Sequence, residues 1–138
     1  MTTTNPTPKK KQKQSEHDLQ SLCVNWFRLQ YPKLAFNLFA IPNGAKRHPV
    51  SGRWYKKEGL TAGVSDCFLA LPSKKINVYD GSICYLHGVF IEFKSKTGTQ
   101  TDKQRLFEKS VREQDYDYWL VNNFDEFVFR INKYLEEK

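Results

Sequence analysis

No apolar stretch in this chain of 138 residues approaches the length needed to cross a bilayer, and no hydrophobic segment follows the polar, basic N-terminus. Neither a membrane anchor nor a secretory leader is expected, and a cytoplasmic location is. Cysteine is scarce: Cys23, Cys67 and Cys84 are an odd number at wide spacings, which suits neither a disulfide framework nor a paired zinc knuckle. They are expected to be reduced and buried. His17, His48 and His87 form no ligand pair of the HExxH kind, which argues against zinc. GxxxxGK[ST] and GxGxxG loops are also missing, so no nucleotide cofactor held by a phosphate-cradling loop is expected. No internal repeat is visible, and the length allows one domain with a real core but not two.

Acid is absent from residues 1–14, which carry Lys9, Lys10, Lys11 and Lys13 and a charge of +4. The next segments carry −1 (residues 15–32), +7 (33–107) and −3 (108–138), so the net +7 is concentrated in the tail and the middle. A folded middle with that surplus suits a polyanion partner, although it also serves solubility, and charge alone leaves both readings open. With no aliphatic residue after Met1, residues 1–14 have nothing to pack and are expected to be a disordered basic tail. The domain is expected to span residues 15–138.

Leu19, Leu22, Cys23, Trp26 and Phe27 form the apolar stripe of a helix over 16–30, with Ser15 as N-cap and Pro32 limiting its end. Ala35 to Ile41 reads as a strand running into Pro42-Asn43-Gly44, residues 45–54 as an exposed loop, and Tyr55–Leu60 as a short helix. Cys67 to Leu71 is a compact buried strand ended by Pro72, and residues 73–88 are a weaker hairpin turning at Asp80-Gly81. Val89 to Lys94 is strongly strand-like. Thr101 and Gln104 have capping-box spacing ahead of a helix with Leu106, Phe107 and Val111 on its apolar face. Tyr116–Val121 is a further strand, and a C-terminal helix follows, capped by Asn123. The order predicts an α/β fold in which helices flank a central mixed sheet.

The anomaly lies in Val89 to Lys94. Val89, Ile91 and Phe93 share one face, Phe90, Glu92 and Lys94 the other, and a strand apolar on both faces is central and buried. A carboxylate there is costly unless paired or bound to a cation. Glu92 and Lys94 project the same way, so a salt bridge at the sheet end is one reading. The other adds Asp66, at the start of the neighbouring apolar strand: two carboxylates converging on a hard divalent cation, with a lysine to position water and offset phosphate charge.

These residues resemble the PD-(D/E)xK nuclease superfamily and, within it, the virus-type replication-repair (VRR-NUC) family. The resemblance runs through Glu16 and Gln20, Ile41-Pro42-Asn43-Gly44 followed by Arg47, Glu58-Gly59, Gly63-Val64-Ser65-Asp66, Gly88 to Lys94, and Gln104 at a helix start. Its parts are individually weak, but their order and spacing are specific. It implies the restriction-endonuclease-like fold and a Mg²⁺ or Mn²⁺ site formed by Asp66, Glu92, the carbonyl of Phe93 and Glu16. Lys94 is then the water-positioning residue and Gln104 a supporting group. The implied activity is a phosphodiester-hydrolysing DNA endonuclease acting on branched DNA such as a Holliday junction, as a homodimer. Ser65 stands where the family usually has proline, Ala45 where a second glycine often follows Asn-Gly, and residues 73–87 exceed the usual connection.

Bland readings stand beside several of these roles. Glu16 also suits the first-turn acid that complements a helix dipole, and Gln104 the capping partner of Thr101. Arg47, Arg53, Lys56 and Lys57, with Lys96 and Lys103, are expected to contact the DNA backbone, the alternative being a solvated face. Trp54 and Tyr55 either stack on unpaired bases or pack. Rival functions are a non-catalytic DNA-binding or end-protecting protein on the same fold, and a restriction-type or tRNA-processing nuclease.

Overall fold

Residues 14–42 and 49–136 are described by the computed structural model of the chain. The expectations for the tail through Lys13, for Asn43-Gly44 and for Arg47 fall outside the described residues. Helix α1 (Glu16–Gln30) starts at Ser15, whose Oγ accepts from Asp18 N at 3.1 Å while the Asp18 carboxylate accepts from Ser15 N. That reciprocal cap fixes the first turn, and Leu19, Cys23 and Phe27, four residues apart, bury one stripe.

The chain then departs from the strand expected over 35–41. Pro32 opens a 3-10 turn (Pro32–Asn37), and only Leu38–Ala40 forms strand β1. Proline presets the turn's φ, and Phe36, 99% exposed, serves no sheet face despite its apolar character. Helix α2 (Pro49–Lys57) also begins earlier than the helix expected at 55–60 and replaces much of the expected loop. Pro49 suits a first helical position, and Gly59 at φ +106° ends the helix. There Gly59 N donates to Lys56 O and Leu60 N to Tyr55 O.

Strands β2 (Cys67–Leu69), β5 (Val89–Phe93) and β6 (Asp117–Val121) join β1 in the order β1-β2-β5-β6. The first three neighbours pair antiparallel and β5 pairs β6 in parallel, which is the expected mixed sheet. β3 (Ser73–Ile76) and β4 (Ile83–Leu86) form the expected hairpin, but as a separate two-stranded sheet. Its Cys84 is exposed, so the expectation of three buried cysteines holds only for Cys23 and Cys67. Helices α3 (Asp102–Arg112) and α4 (Phe124–Glu136) cover opposite faces of the main sheet. Phe93 meets Phe127 of α4 at 6.0 Å between ring centres, and Phe90 meets Phe107 of α3 at 5.0 Å. Leu19, Cys23 and Phe27 of α1 share the core with Ile91, Phe93 and Phe127. Among the described residues no helix is long and apolar enough to cross a membrane.

One ionic network braces the far end of the sheet. Asp117 is buried and accepts from Lys75 Nζ at 3.1 Å, Arg112 Nη1 at 3.0 Å and Trp119 Nε1 at 3.0 Å. It thereby ties the hairpin and the end of α3 to β6. Burial opposes its ionisation, yet Lys75 and the Trp119 and Tyr118 donors hold its pKa below the ordinary aspartate value. Asp117→Asn should cost about 2 kcal/mol at pH 7; the side chains of Lys75 and Arg112 are 56% and 43% exposed, which discounts the ion pairs themselves. Because folding depresses this pKa, the stabilisation is complete above the ordinary value of 3.8 and is lost as pH falls through the folded pKa. Urea melts should therefore show a wild-type advantage at pH 7 that shrinks below pH 4; an equal advantage at both pH values would exclude the ionic account.

Candidate active site

Asp66 immediately precedes β2, and the pairing of Cys67 with Ile91 places Asp66 beside Glu92 on the sheet face that carries Phe68 and Phe90. Two further bonds set it there. Phe93 N donates to Asp66 Oδ2 at 2.8 Å, and Ile41 N donates to Asp66 O at 2.8 Å, closing the whole excursion from 41 to 66 at its base. The return arm of that excursion is pinned to α3. Gly63 has φ +91°, and a Cβ there would lie 2.7 Å from Lys103 O, so only glycine allows this approach to the first turn of α3.

Glu92 is 4% exposed on the central strand. Its Oε1 accepts from Gln104 Nε2 at 2.7 Å and lies 3.4 Å from Lys94 Nζ. Its Oε2 is buried with no hydrogen-bond partner among the described residues. Burial first, and then the neighbouring Asp66 carboxylate, push the Glu92 pKa up to about 7, against the pull of Lys94. Burial likewise raises the Asp66 pKa, opposed by the Phe93 N–H. Two adjacent carboxylates, one with a buried oxygen that has no hydrogen-bond partner among the described residues, could supply oxygen donors to a cation.

Gln104 serves two partners at once. Its Oε1 accepts from Thr101 N at 2.9 Å to complete the capping box of α3, and its Nε2 reaches Glu92. The capping and supporting readings of this residue are thus compatible. A glutamate could make the same cap but would place a third carboxylate against Glu92, so the amide matters. Lys94, 8% exposed, extends from the end of β5, whose next bond runs from Lys94 N to Val121 O at 2.9 Å.

Glu16 sits at the margin. Its Oε1 accepts from Ser95 N at 3.3 Å, which fastens α1 to the connection after β5, and its charge reaches both Asp66 and Glu92. Among the described residues no group of three or more His, Cys, Asp or Glu side chains is arranged to hold a metal; Asp66 and Glu92 are neighbours, and Glu16 is near enough for its charge to act on both. Arg53, Lys56 and Lys57 are exposed on α2, Lys96 on the β5–α3 connection and Lys103 on the first turn of α3. The Ser95 amide as an anchor for Glu16 had no sequence signal, since any residue but proline supplies it. A groove of about 710 Å³ between the hairpin and α4, lined by Lys75, Trp119, Phe129, Arg130 and Lys133 among others, holds none of the candidate residues.

No protein-family model matches the chain, and no curated protein matches it in sequence. A solved structure described as a "VRR_NUC domain protein" superposes with a TM-score of 0.70 over 90% of this chain and 90% of its own, at 19% identity. At that identity the likeness establishes a shared fold.

Proposed function

We propose that the chain is a VRR-NUC member of the PD-(D/E)xK superfamily and a Mg²⁺- or Mn²⁺-dependent DNA endonuclease. The observation that carries this reading is the Asp66–Glu92 pair, half-buried Asp66 beside buried Glu92, whose Oε2 has no hydrogen-bond partner among the described residues and whose Oε1 lies 3.4 Å from Lys94 Nζ. An all-oxygen donor pair without histidine or cysteine matches a hard cation. Asp66 and Glu92 would hold it, with the Phe93 carbonyl and Glu16 as the further donors that the family resemblance implies. A bound divalent cation supplies Lewis acidity and a lowered pKa for the attacking water. Lys94 Nζ would donate to the attacking water or to a non-bridging phosphate oxygen, and Gln104, by holding Glu92 Oε1, would leave Oε2 available as a cation donor. Exposed Arg53, Lys56, Lys57, Lys96 and Lys103, and Arg47, contact the phosphate backbone.

The preferred substrate is branched DNA. A symmetric four-way junction presents two scissile strands, so its resolution calls for a two-fold homodimer with one site per strand. The chain acts in the cytoplasm, as one domain over residues 15–138 preceded by a basic tail.

The test incubates the purified protein with duplex, flap, four-way-junction and single-stranded DNA under matched metal conditions. Cleavage is expected with Mg²⁺ or Mn²⁺ and absent in excess chelator, with Ca²⁺ supporting binding but little turnover. Titration with Mn²⁺ should also raise the melting temperature of the wild type and not of Glu92→Gln. Full cleavage in chelator would sink the metal-dependent reading.

A further inference from the structure

Helix α2 carries Arg53, Trp54, Tyr55, Lys56 and Lys57 in succession, all exposed, and contains no acid. Trp54 is 66% and Tyr55 38% exposed, whereas the other two tryptophans are packed. Trp26 makes edge contacts with Tyr31, Phe124 and Phe127 near 6 Å, and Trp119 is 4% exposed. An exposed tryptophan among cations runs against the ordinary fate of that side chain, which is burial. Burial was the bland reading for Trp54, and the structure does not supply it.

The place of α2 in the chain links it to the carboxylates. It lies on the 41–66 excursion, whose two ends are bonded together at Asp66 and whose return arm is fixed through Gly63 to the first turn of α3. The floor beside the carboxylates is aromatic too. Phe68 shares the sheet face of Asp66 one pleat along, about 7 Å away. It contacts Phe39, 44% exposed, at 5.9 Å and Phe90 at 4.6 Å.

We infer that α2, with Trp54 as its stacking residue, binds unpaired nucleotides of the DNA strand adjoining the scissile phosphate. This rests on the nuclease reading and deepens it, by assigning a substrate with single-stranded character at the cut. Arg53, Lys56 and Lys57 neutralise phosphates without reading sequence. The indole face accepts any base, because every base offers a π-surface. A fully paired duplex keeps its bases stacked on one another and offers Trp54 none.

Binding of labelled (dT)12 and of an abasic oligomer with the same number of phosphates, both in chelator, tests the assignment. Wild type should prefer (dT)12, which should quench its tryptophan fluorescence. Trp54→Ala should lose about tenfold in affinity for (dT)12, lose the quenching, and bind the abasic oligomer within twofold of wild type. Trp54→Phe should recover most of the affinity. Equal losses on both oligomers, or no loss on either, overturn the proposal. Because no cleavage is needed, failure of the nuclease reading leaves this readout intact. Failure of stacking alone appears instead as metal-dependent cleavage with a Trp54→Ala variant that binds like wild type.

Discussion

On the proposed reading, Glu92→Gln and Asp66→Asn are each expected to lower cleavage roughly a thousandfold or more, since either would remove an anionic donor from the proposed cation site. Neither should destabilise the metal-free protein. Asp66, Glu92 and Lys94 carry a net −1 in a confined place; removing one carboxylate leaves a balanced pair, and an amide at 92 can still accept from Gln104. The pH dependence sharpens this. Folding raises the Glu92 pKa from 4.5 to about 7 through burial and the Asp66 charge. In chelator the folded state therefore binds more protons than the unfolded one between those values, and stability falls as pH rises through them. The penalty is absent below pH 4.5, is complete above about pH 7, and is on the order of 1–3 kcal/mol. Glu92→Gln should abolish that slope and melt higher than wild type at pH 8. Chelator melts from pH 4 to 8 provide the check, and marked destabilisation of both variants at pH 8 would make the Glu92–Lys94 pair a structural salt bridge and nothing more.

How far these residues were legible depends on how local each signal is. Val89 to Lys94 announced itself as central because both faces are apolar, and the period of two placed Glu92 with Lys94. Caps at Ser15 and Thr101 and the Asn123 side chain that accepts from Glu126 N at 2.8 Å are three-residue patterns, which is why the helix starts were placed within a residue. The apolar, aromatic stretch 35–41 reads as a strand, but its first residues belong to a 3-10 turn and only Leu38–Ala40 joins the sheet. Phe36 and Phe39 are 99% and 44% exposed, and a 3-10 turn has no long period to display. Helix α2 was displaced because its described side chains, 53–57, are all exposed, so no apolar stripe marks it.

Contacts that join distant segments were hidden altogether. Lys75 and Asp117 are 42 positions apart and have ordinary local contexts, and only the parallel β5–β6 pairing and the separate hairpin bring them together. Gln104 shows the intermediate case. Its capping role follows from Thr101 three residues earlier, but its bond to Glu92 requires knowing that α3 returns over the sheet face that carries the carboxylates. The resemblance implies Gln104 as a supporting group, and the geometry bonds its amide to one oxygen of Glu92.

Lys94→Met separates chemistry from binding most directly. The methionine chain fills nearly the same space and removes the charge, and at 8% exposure Lys94 has little reach toward phosphates outside the site. Single-turnover cleavage at saturating Mg²⁺ should fall about 10²- to 10³-fold, the range for losing one preorganised donor at a developing oxyanion. DNA affinity, measured with Ca²⁺, should change less than about threefold, the split expected of an interaction made chiefly in the transition state. Lys94 is also the cation 3.4 Å from Glu92, so its loss leaves two carboxylates facing each other, and metal-free Lys94→Met should melt below wild type at pH 8. That deficit should narrow as pH falls below about 7, where Glu92 takes up a proton, and should largely vanish in Glu92→Gln/Lys94→Met, where only one of the pair remains charged. Equal losses of rate and affinity would reduce Lys94 to a phosphate contact. A stability loss with the saturated rate intact would reduce it to the structural partner of Glu92, and the assignment of Lys94 to the attacking water would fall with it.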